Sequence, residues 1–410
     1  MTRRDQLLCG IITVAYLALA IPAFSGLPNP DLMAVWGGAM AWMDGAGVDI
    51  YAGTDQPFDT LAPQALQAAF DRIDYNAPRF GYIYPPLWLA LLGPLTDVTG
   101  YETFLSVVTW ANNLMMPAMV GLAWAAARPT LPAPLFLLIG LACLVLTQVG
   151  GLALFYNQIQ IAVSFLIVLA AERTNARAPV AAGIALALAA ALKGYPVLLI
   201  VLWIGSRDWR ALVAFALTGA ALAATSVALT GWDMHIAYLD QLRQISGTVL
   251  VSPVTFSAPS LIAHLTMVPE MAPVDYGAEH ASQIIVAWSP VWLRAASTLG
   301  LLAVLAATWR LARQRDPVLW ALSAGAISMM TSVAWSHHYL VTFAMLPVLI
   351  SRLGWKTGGG FVAIGAGLVS YPATPLWRDL LSTYAPFQIG GTLAIFVALV
   401  GLSLALSRRR

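Results

Sequence analysis

Apolar stretches of membrane-spanning character alternate with short polar connections along most of the chain. A spanning helix needs about 20 mostly apolar residues, and several of the candidate stretches are short or broken by proline or glycine. The candidates are Leu7–Ala23, Thr103–Ala127, Ala133–Val149, Ile159–Ala171, Ala178–Leu192, Tyr195–Ile204, Ala211–Leu229, Ile284–Leu311, Val318–Val333, His338–Ile350, Phe361–Tyr371 and Ile389–Leu406. The pattern predicts an all-α, polytopic transmembrane bundle of about twelve spans, formed as one integral membrane domain over residues 1–410.

Composition agrees with this prediction and excludes a soluble protein. The 410 residues are 60% hydrophobic and 10% charged, whereas soluble domains carry about 25% charged residues. Cys9 and Cys143 lie far apart in apolar stretches, so neither a disulfide framework nor a cysteine-based metal site is expected. A net charge of +2 without a dense basic patch argues against a nucleic-acid partner.

The distribution of charge predicts the orientation in the membrane. Basic residues concentrate in short connections, such as Arg207 and Arg210, whereas the long polar stretches are acidic. Residues 29–102 hold nine acidic residues and two arginines. The positive-inside rule therefore places both termini in the cytoplasm and the long loops outside. The segment Leu7–Ala23 also fits a signal peptide, but it is long for one and no small-x-small cleavage site follows.

Two long outer loops are predicted, over residues 26–102 and 231–285. In the first loop, Asp31–Asp44 is compatible with a helix that has large apolar residues on one face, and Thr60–Ile73 is a second amphipathic candidate. Such helices beside a membrane are expected to lie in its interface. The stiff sequence Tyr84-Pro85-Pro86 follows, and an even number of spans requires Tyr84–Leu95 to dip into the membrane without crossing it.

Breaks in the apolar stretches predict a polar cavity at the outer face. They occur at Asn157, at Lys193-Gly194 and at Ser336-His337, and irregular backbone at membrane depth persists only where protein or a water-filled cavity satisfies it. The predicted topology brings the candidate site residues to this same face. These residues are Asp31, Tyr84, Gln158, Lys193, His337 and His338.

Each candidate also has a simpler structural explanation. Asp31 suits a general base or the N-cap of a helix. Lys193, one of two lysines, suits a phosphate-binding cation or a side chain snorkelling from a helix end. The histidines fit an interfacial turn, Gln158 and Gln160 fit hydrogen bonds between helices, and the Tyr84 segment fits a rigid connection. Their gathering at one face favours an active site over a transport path.

Five short motifs occur in an order and spacing that resemble glycosyltransferase family 87, within the C-type (GT-C) glycosyltransferases. They are DLMAVWGGAMAWMDGAGVDIY from Asp31, YPPLWLALLGPL from Tyr84, YNQIQIAV from Tyr156, LKGYPVLL from Leu192 and SHHYLVTFAMLP from Ser336. The resemblance extends over roughly Leu7 to Ile350. The family commonly has a glycine where this chain has Asn157, which puts the geometry of that turn in question.

The resemblance implies a bacterial inner-membrane enzyme with its active site on the periplasmic or outer side. It implies a polyprenyl-phosphate sugar as donor, a hexose with mannose as one candidate, and a lipid or glycan acceptor. Asp31 is then the base, and Lys193 with His337 or His338 lies near the donor phosphate. Gln158, Tyr84 and Tyr195 complete the predicted substrate-binding residues. No acidic residue pairs with Asp31, and neither a metal nor another cofactor is assigned.

Two other functions stay open from the sequence. A transporter or flippase for a lipid-linked sugar would need no glycosidic chemistry and no special role for Asp31. An O-antigen polymerase or ligase would use the same donors and have a large outer loop, for which residues 231–285 are suitable.

Overall fold

The computed structural model describes residues 1–53, 56–275 and 283–408, and it is predominantly helical. The α-helices are α1 Arg3–Phe24, α2 Pro30–Met43, α3 Gln64–Arg72, α4 Leu87–Val98, α5 Tyr101–Ala127, α6 Ala133–Val145, α7 Gly151–Phe155, α8 Gln160–Asn175, α9 Pro179–Leu192, α10 Val201–Ser206, α11 Trp209–Thr230, α12 Trp232–Gly247, α13 Ala258–Thr266, α14 Val291–Leu311, α15 Val318–Met330, α16 Leu340–Met345, α17 Val348–Leu368, α18 Ala373–Leu380 and α19 Pro386–Ser407. Short 3₁₀ helices cover Gly47–Tyr51, Tyr195–Ile200, Val268–Glu270, Ala312–Gln314 and Ser336–Tyr339. The strands are β1 Thr248–Val251, β2 Ala272–Pro273 and β3 Ile285–Trp288.

Among the described residues, five helices are long and apolar enough to cross a membrane: α1, α5, α11, α14 and α19. Most of the surface of α1, α11 and α14 is not covered by protein. Large apolar side chains on this perimeter are well exposed, with Leu19 at 76%, Leu217 at 68% and Leu299 at 67%. An apolar surface of this extent is stable in lipid rather than in water. The chain is therefore a helical membrane protein.

Shorter helices fill the interior of the bundle. The helices α6, α8, α9 and α15 have 13 to 16 residues and many fully buried side chains. At 1.5 Å per residue they extend about 20–24 Å, less than the ~30 Å thickness of the hydrocarbon core. One end of α8, of α9 and of α15 adjoins the chain breaks identified in the sequence. The short interior helices thus leave room for a depression at that end of the bundle.

Proline explains the break after α9. Pro196 has no N–H to donate to the carbonyl of Leu192, so the helix cannot continue through it. Lys193 adopts extended backbone angles, and a 3₁₀ helix begins at Tyr195. A second break in helical geometry occurs at Gly354 inside α17, where φ is 78°. It separates the parts of α17 that the sequence predicted as two spans.

The structure confirms a predominantly helical protein, but the prediction of an all-α protein missed a small sheet. Strand β3 pairs antiparallel with β1 and with β2, and Val249 lies opposite Ala287. The predicted span Ile284–Leu311 is wrong at its start, because Ile285–Trp288 is a strand and α14 begins only at Val291. Pro290 explains this boundary, since proline disfavours helical geometry in the residue before it. The number of membrane crossings stays a prediction.

The first long loop contains α2 and α3 where helices were predicted, and α4 lies largely within the segment that was predicted to dip into the membrane. Eleven of the fourteen residues of α2 are buried. Close packing requires glycine at two positions of this helix. A Cβ on Gly37 would lie 2.7 Å from the Phe70 ring, and one on Gly38 would lie 2.8 Å from the Tyr82 ring. The helix that carries Asp31 is thus held tightly by its neighbours.

Candidate active site

Asp31 lies at the start of α2 but does not cap it. The N-cap is Asn29, which has φ of 48°, and Pro30 occupies the first helical position that proline favours. No side chain makes a capping hydrogen bond there. The alternative that Asp31 is an N-cap is therefore wrong, and its carboxylate is available for another role.

Asp31 faces a cavity of about 140 Å³, here called the Asp31 cavity. Side chains from several separate segments of the chain form its wall. They are Asp31, Ala34, Phe58, Thr60, Phe80, Gly81, Ile83, Tyr84, Leu152, Tyr156, Gln158, Lys193, Val254, Ile284, Trp335 and His337. Five of the seven predicted site residues thus meet at one place. The other two, Tyr195 and His338, lie on an adjoining groove.

The two charged groups of this cavity have shifted pKa values. Burial raises the pKa of Asp31 to about 6, while the Gln158 amide and the Lys193 ammonium act in the opposite direction. Burial lowers the pKa of Lys193, in the turn between α9 and the next helix, to about 8, and the charge of Asp31 opposes this shift. Near neutral pH the cavity therefore holds an ionised carboxylate that can accept a proton and a charged ammonium.

The two histidines turn to different sides of Lys193. The Nζ atom of Lys193 lies 3.1 Å from Nε2 of His338, and the Tyr195 ring packs beside the His338 ring. His337 is 4% exposed, and its Nδ1 atom has no hydrogen-bond partner among the described residues. A buried polar atom without a partner is costly. This nitrogen on the cavity wall is therefore suited to a bound ligand.

The turn that carries the histidines is anchored by the second outer loop. The backbone N–H of Ser336 donates to the Val254 carbonyl at 2.8 Å, and that of Phe256 donates to the Ala334 carbonyl at 2.8 Å. Tyr339 also donates its hydroxyl to the Phe256 carbonyl. These bonds hold the 3₁₀ helix Ser336–Tyr339 over the ends of the interior helices.

Asn157 lies in a turn and has a backbone geometry that glycine would also adopt, and the family commonly has glycine at this position. Its φ is 45°, a left-handed conformation that glycine adopts freely and asparagine tolerates. Its amide nitrogen donates to Asn29 Oδ1 and Thr109 Oγ1, each at 2.9 Å, and its oxygen accepts from Asn112 at 3.1 Å. The side chain thus ties the Gln158 turn to the residue that begins the Asp31 helix.

We expect Asn157→Gly to keep the backbone turn and lose this buried network. Unpaired partners such as Asn112 should lower the free energy of unfolding by about 1–3 kcal/mol. Looser placement of Asp31 should lower kcat about tenfold or more, with KM little changed. Thermal unfolding and steady-state kinetics measure both effects. Asn157→Ala should be less stable still, because it adds left-handed strain. Unchanged kcat and Tm in Asn157→Gly would show that the network positions nothing.

A groove of about 590 Å³ adjoins the Asp31 cavity and is here called the Arg294 groove. Lys193, Phe58, Ile83 and Trp335 line both spaces. The groove is further lined by Gly194, Tyr195, Tyr238, Leu242, Ile245, Ser246, Arg294, Ser297, Thr298, Leu301, Ser328, Met330, Thr331, Ser332, Val333 and His338. The Arg294 groove therefore contains Lys193, which it shares with the Asp31 cavity, and an apolar wall beside the exposed helix α14.

Arg294 lines this groove and is not among the residues predicted for the site from the sequence. It lies in the first turn of the apolar helix α14, where the helix dipole disfavours a positive charge. Among the described residues it has no ion pair. By the predicted topology this helix end faces outward, so Arg294 departs from the positive-inside bias as Lys193 does. That departure is the sequence feature that distinguishes Arg294 from the arginines of the short connections.

The described residues contain no group of three or more His, Cys, Asp or Glu side chains that could hold a metal ion. The cavity brings together a carboxylate, a lysine and an imidazole whose Nδ1 atom has no partner among the described residues, next to a groove along a lipid-facing helix. Such a fold and site are those of a membrane enzyme.

The family is defined by sequence comparison. The family model for glycosyltransferase family 87 matches residues 82–336. This is more than half of the chain, and the protein belongs to that family. It is therefore a glycosyltransferase, which supports the enzyme over the transporter or flippase alternative. No curated protein sequence matches the chain.

The matched segment includes only part of the site. Tyr84, Gln158, Lys193 and Tyr195 lie within it. His337 and His338 follow its last residue, and Asp31 precedes its first. The catalytic role of Asp31 therefore depends on its geometry and stays a prediction.

Proposed function

We propose that the protein transfers a hexose from a polyprenyl-phosphate donor to a hydroxyl of a lipid or glycan acceptor at the outer face of a bacterial inner membrane. The observation that carries the proposal is that Lys193 lies in a wall shared by the Asp31 cavity and the Arg294 groove. One side of this wall holds the Asp31 carboxylate, and the other side is a groove beside a lipid-facing helix. An enzyme that joins a lipid-borne donor to a polar acceptor needs both spaces to meet at the reacting atoms.

The Arg294 groove suits the donor. A polyprenyl phosphate has its phosphate at headgroup level and its chain in lipid, so its site needs cations next to an apolar wall. Lys193 and Arg294 supply the cations, and Leu242, Ile245 and Leu301 supply apolar contacts. Charge builds on the phosphate as it leaves, and fixed cations stabilise such charge strongly in a site from which water is excluded.

The Asp31 cavity suits the acceptor hydroxyl. In the proposed step, the acceptor oxygen forms a bond to the anomeric carbon while the bond from that carbon to the phosphate oxygen breaks. The acceptor proton passes to the Asp31 carboxylate, and polyprenyl phosphate leaves with the bonding electron pair. A single base opposite the leaving group is sufficient for such an inverting transfer, and Asp31 has a pKa matched to the task.

The sugar is tested with a panel of donors. Purified protein in lipid nanodiscs is incubated with membrane lipid extract and radiolabelled polyprenyl-phosphate mannose, glucose or galactose. Label should appear in the acceptor from one of these, and mannose is the first candidate. Transfer from a nucleotide sugar but from none of the three would contradict the proposed donor class.

We expect Arg294→Gln to weaken donor binding. Loss of one exposed charge-assisted contact should raise the KM for the donor about three- to tenfold with a smaller effect on kcat. Arg310→Gln is the matched control, because Arg310 is an exposed arginine at the other end of the same helix. Equal effects of the two substitutions on the donor KM would remove Arg294 from the site.

The orientation is open to a labelling test. We propose twelve crossings with both termini in the cytoplasm, which places Asp49 and Glu270 outside and Arg313 inside. In a chain without Cys9 and Cys143, a membrane-impermeant thiol reagent applied to intact cells should label Asp49→Cys and Glu270→Cys but not Arg313→Cys. All three side chains are exposed. The reverse pattern would invert the topology and place the Asp31 cavity on the cytoplasmic side.

A further inference from the structure

A second polar cavity, of about 500 Å³, lies at the end of the bundle opposite to the Asp31 cavity. Helix α8 connects the two, because Gln160 begins it near the Asp31 cavity and Asn175 ends it at the second one. Arg128, Arg177 and Arg315 line this space, here called the arginine cavity. Trp203 and Trp320, which are almost fully buried, form its floor.

The arginine cavity has an excess of positive charge. Among the described residues, the one carboxylate that lines it is that of Asp316, which accepts two hydrogen bonds from Arg352, at 2.7 and 2.9 Å, and is neutralised by that guanidinium. Arg315 donates to the Ser206 carbonyl at 2.9 Å. Within the described parts of the chain, Arg128 and Arg177 form neither an ion pair nor a side-chain hydrogen bond. The guanidinium groups of Arg128 and Arg177 are therefore available to an anion, and Arg315 keeps N–H donors besides the one that bonds to Ser206.

The backbone at these arginines provides an independent observation. Arg128, Arg177 and Arg315 have φ of 43°, 60° and 51°, each just after a helix. Glycine adopts this left-handed conformation without steric conflict and is the residue that helix ends prefer there, whereas arginine is not favoured. Their side chains therefore occupy positions at which the backbone alone would select glycine, so glycine can replace these arginines without strain in the backbone.

We propose that the arginine cavity binds the phosphate of an anionic phospholipid headgroup. The cavity lies at the ends of the spanning helices, where headgroups are located. Guanidinium groups bind phosphate oxygens in a bidentate manner. Leu202 and Leu319 give the wall an apolar part beside the arginines. A volume of this size is typical of ligand sites.

Competitive lipid binding tests this proposal. Purified protein is equilibrated with equal amounts of phosphatidylglycerol and phosphatidylcholine, and bound lipid is counted by native mass spectrometry. The wild-type protein should retain phosphatidylglycerol at least about tenfold over phosphatidylcholine. The triple variant Arg128→Gly, Arg177→Gly and Arg315→Gly should lose this preference while remaining folded, because glycine suits all three backbones.

Arg207 offers a matched control at the same end of the bundle. It has φ of 57° and follows a helix, but it does not line the cavity. Arg207→Gly should keep the preference for phosphatidylglycerol. The proposal is overturned if the wild-type protein shows no preference, if Arg207→Gly loses as much as the triple variant, or if millimolar inorganic phosphate displaces the bound lipid. None of these results depends on sugar transfer.

Discussion

Replacing Asp31 with asparagine should lower the rate of sugar transfer by a factor of about 10²–10⁴ while leaving the protein folded. Asparagine has nearly the same size and removes a charge that burial disfavours, as the raised pKa of Asp31 indicates. Asp31 makes no capping hydrogen bond that folding would need. Asparagine cannot accept the acceptor proton, so only the chemical step should fail. Thermal unfolding and transfer from a labelled donor, measured on the same preparation, test both expectations.

Asp44→Asn is the matched control for Asp31. Asp44 lies at the other end of α2, is exposed, and pairs with Arg72 at the surface. An exposed pair of this kind contributes little to stability, so this variant should keep both its melting temperature and its transfer rate. Transfer by Asp31→Asn at a rate similar to that of Asp44→Asn would leave the enzyme without its assigned base.

The second large effect is expected at Lys193. Loss of a charge-assisted contact with phosphate typically weakens binding by about 1.5–3 kcal/mol, so Lys193→Ala should lower kcat/KM by about one to two orders of magnitude. Lys356→Ala, which removes the only other lysine of the sequence from an exposed position, should have no such effect. Wild-type kinetics in Lys193→Ala would show that Lys193 is a snorkelling side chain.

The dependence of kcat/KM on pH distinguishes the two roles. Asp31 must be ionised to accept a proton, so activity should fall as pH drops through about 6. Lys193 must be protonated to attract phosphate, so activity should fall again as pH rises through about 8. In Lys193→Arg the alkaline limb should disappear from this range, because a guanidinium group stays charged. An alkaline limb that persists unchanged in Lys193→Arg belongs to another group.

Sequence pattern predicted which segments meet at the candidate site, because polar groups are costly to bury in lipid and therefore stand out in an apolar sequence. The interruptions at Asn157, Lys193 and His337 stand out against apolar surroundings, and the structure brings all three segments to one end of the bundle. The motif order also identified the family. The pattern could not predict which space each side chain faces. Adjacent histidines turn to different spaces, with His337 on the Asp31 cavity and His338 on the Arg294 groove.

Other features depend on contacts between distant segments and were not predictable from local pattern. The strands β1 and β3 are four residues each and pair across the second outer loop, so neither is stable or recognisable alone. Arg294 lies inside a predicted span, where hydrophobicity dominates the pattern. Asn157 was noted as a departure from glycine, but its bond to Asn29 joins segments far apart in the chain. The left-handed arginines of the arginine cavity become apparent only from backbone angles.

Single-turnover transfer tests the central claim most directly. Wild-type protein and Asp31→Asn, each in nanodiscs, are mixed with a radiolabelled polyprenyl-phosphate hexose and a membrane lipid acceptor, and the labelled glycosidic product is separated from the donor. The wild-type protein should convert donor to product, and Asp31→Asn should bind the donor equally well but form product at least about 10²-fold more slowly. Donor that crosses or leaves the nanodisc without any new glycosidic bond, or equal product from both proteins, would contradict the assignment of this cavity as the active site of a polyprenyl-phosphate-dependent glycosyltransferase.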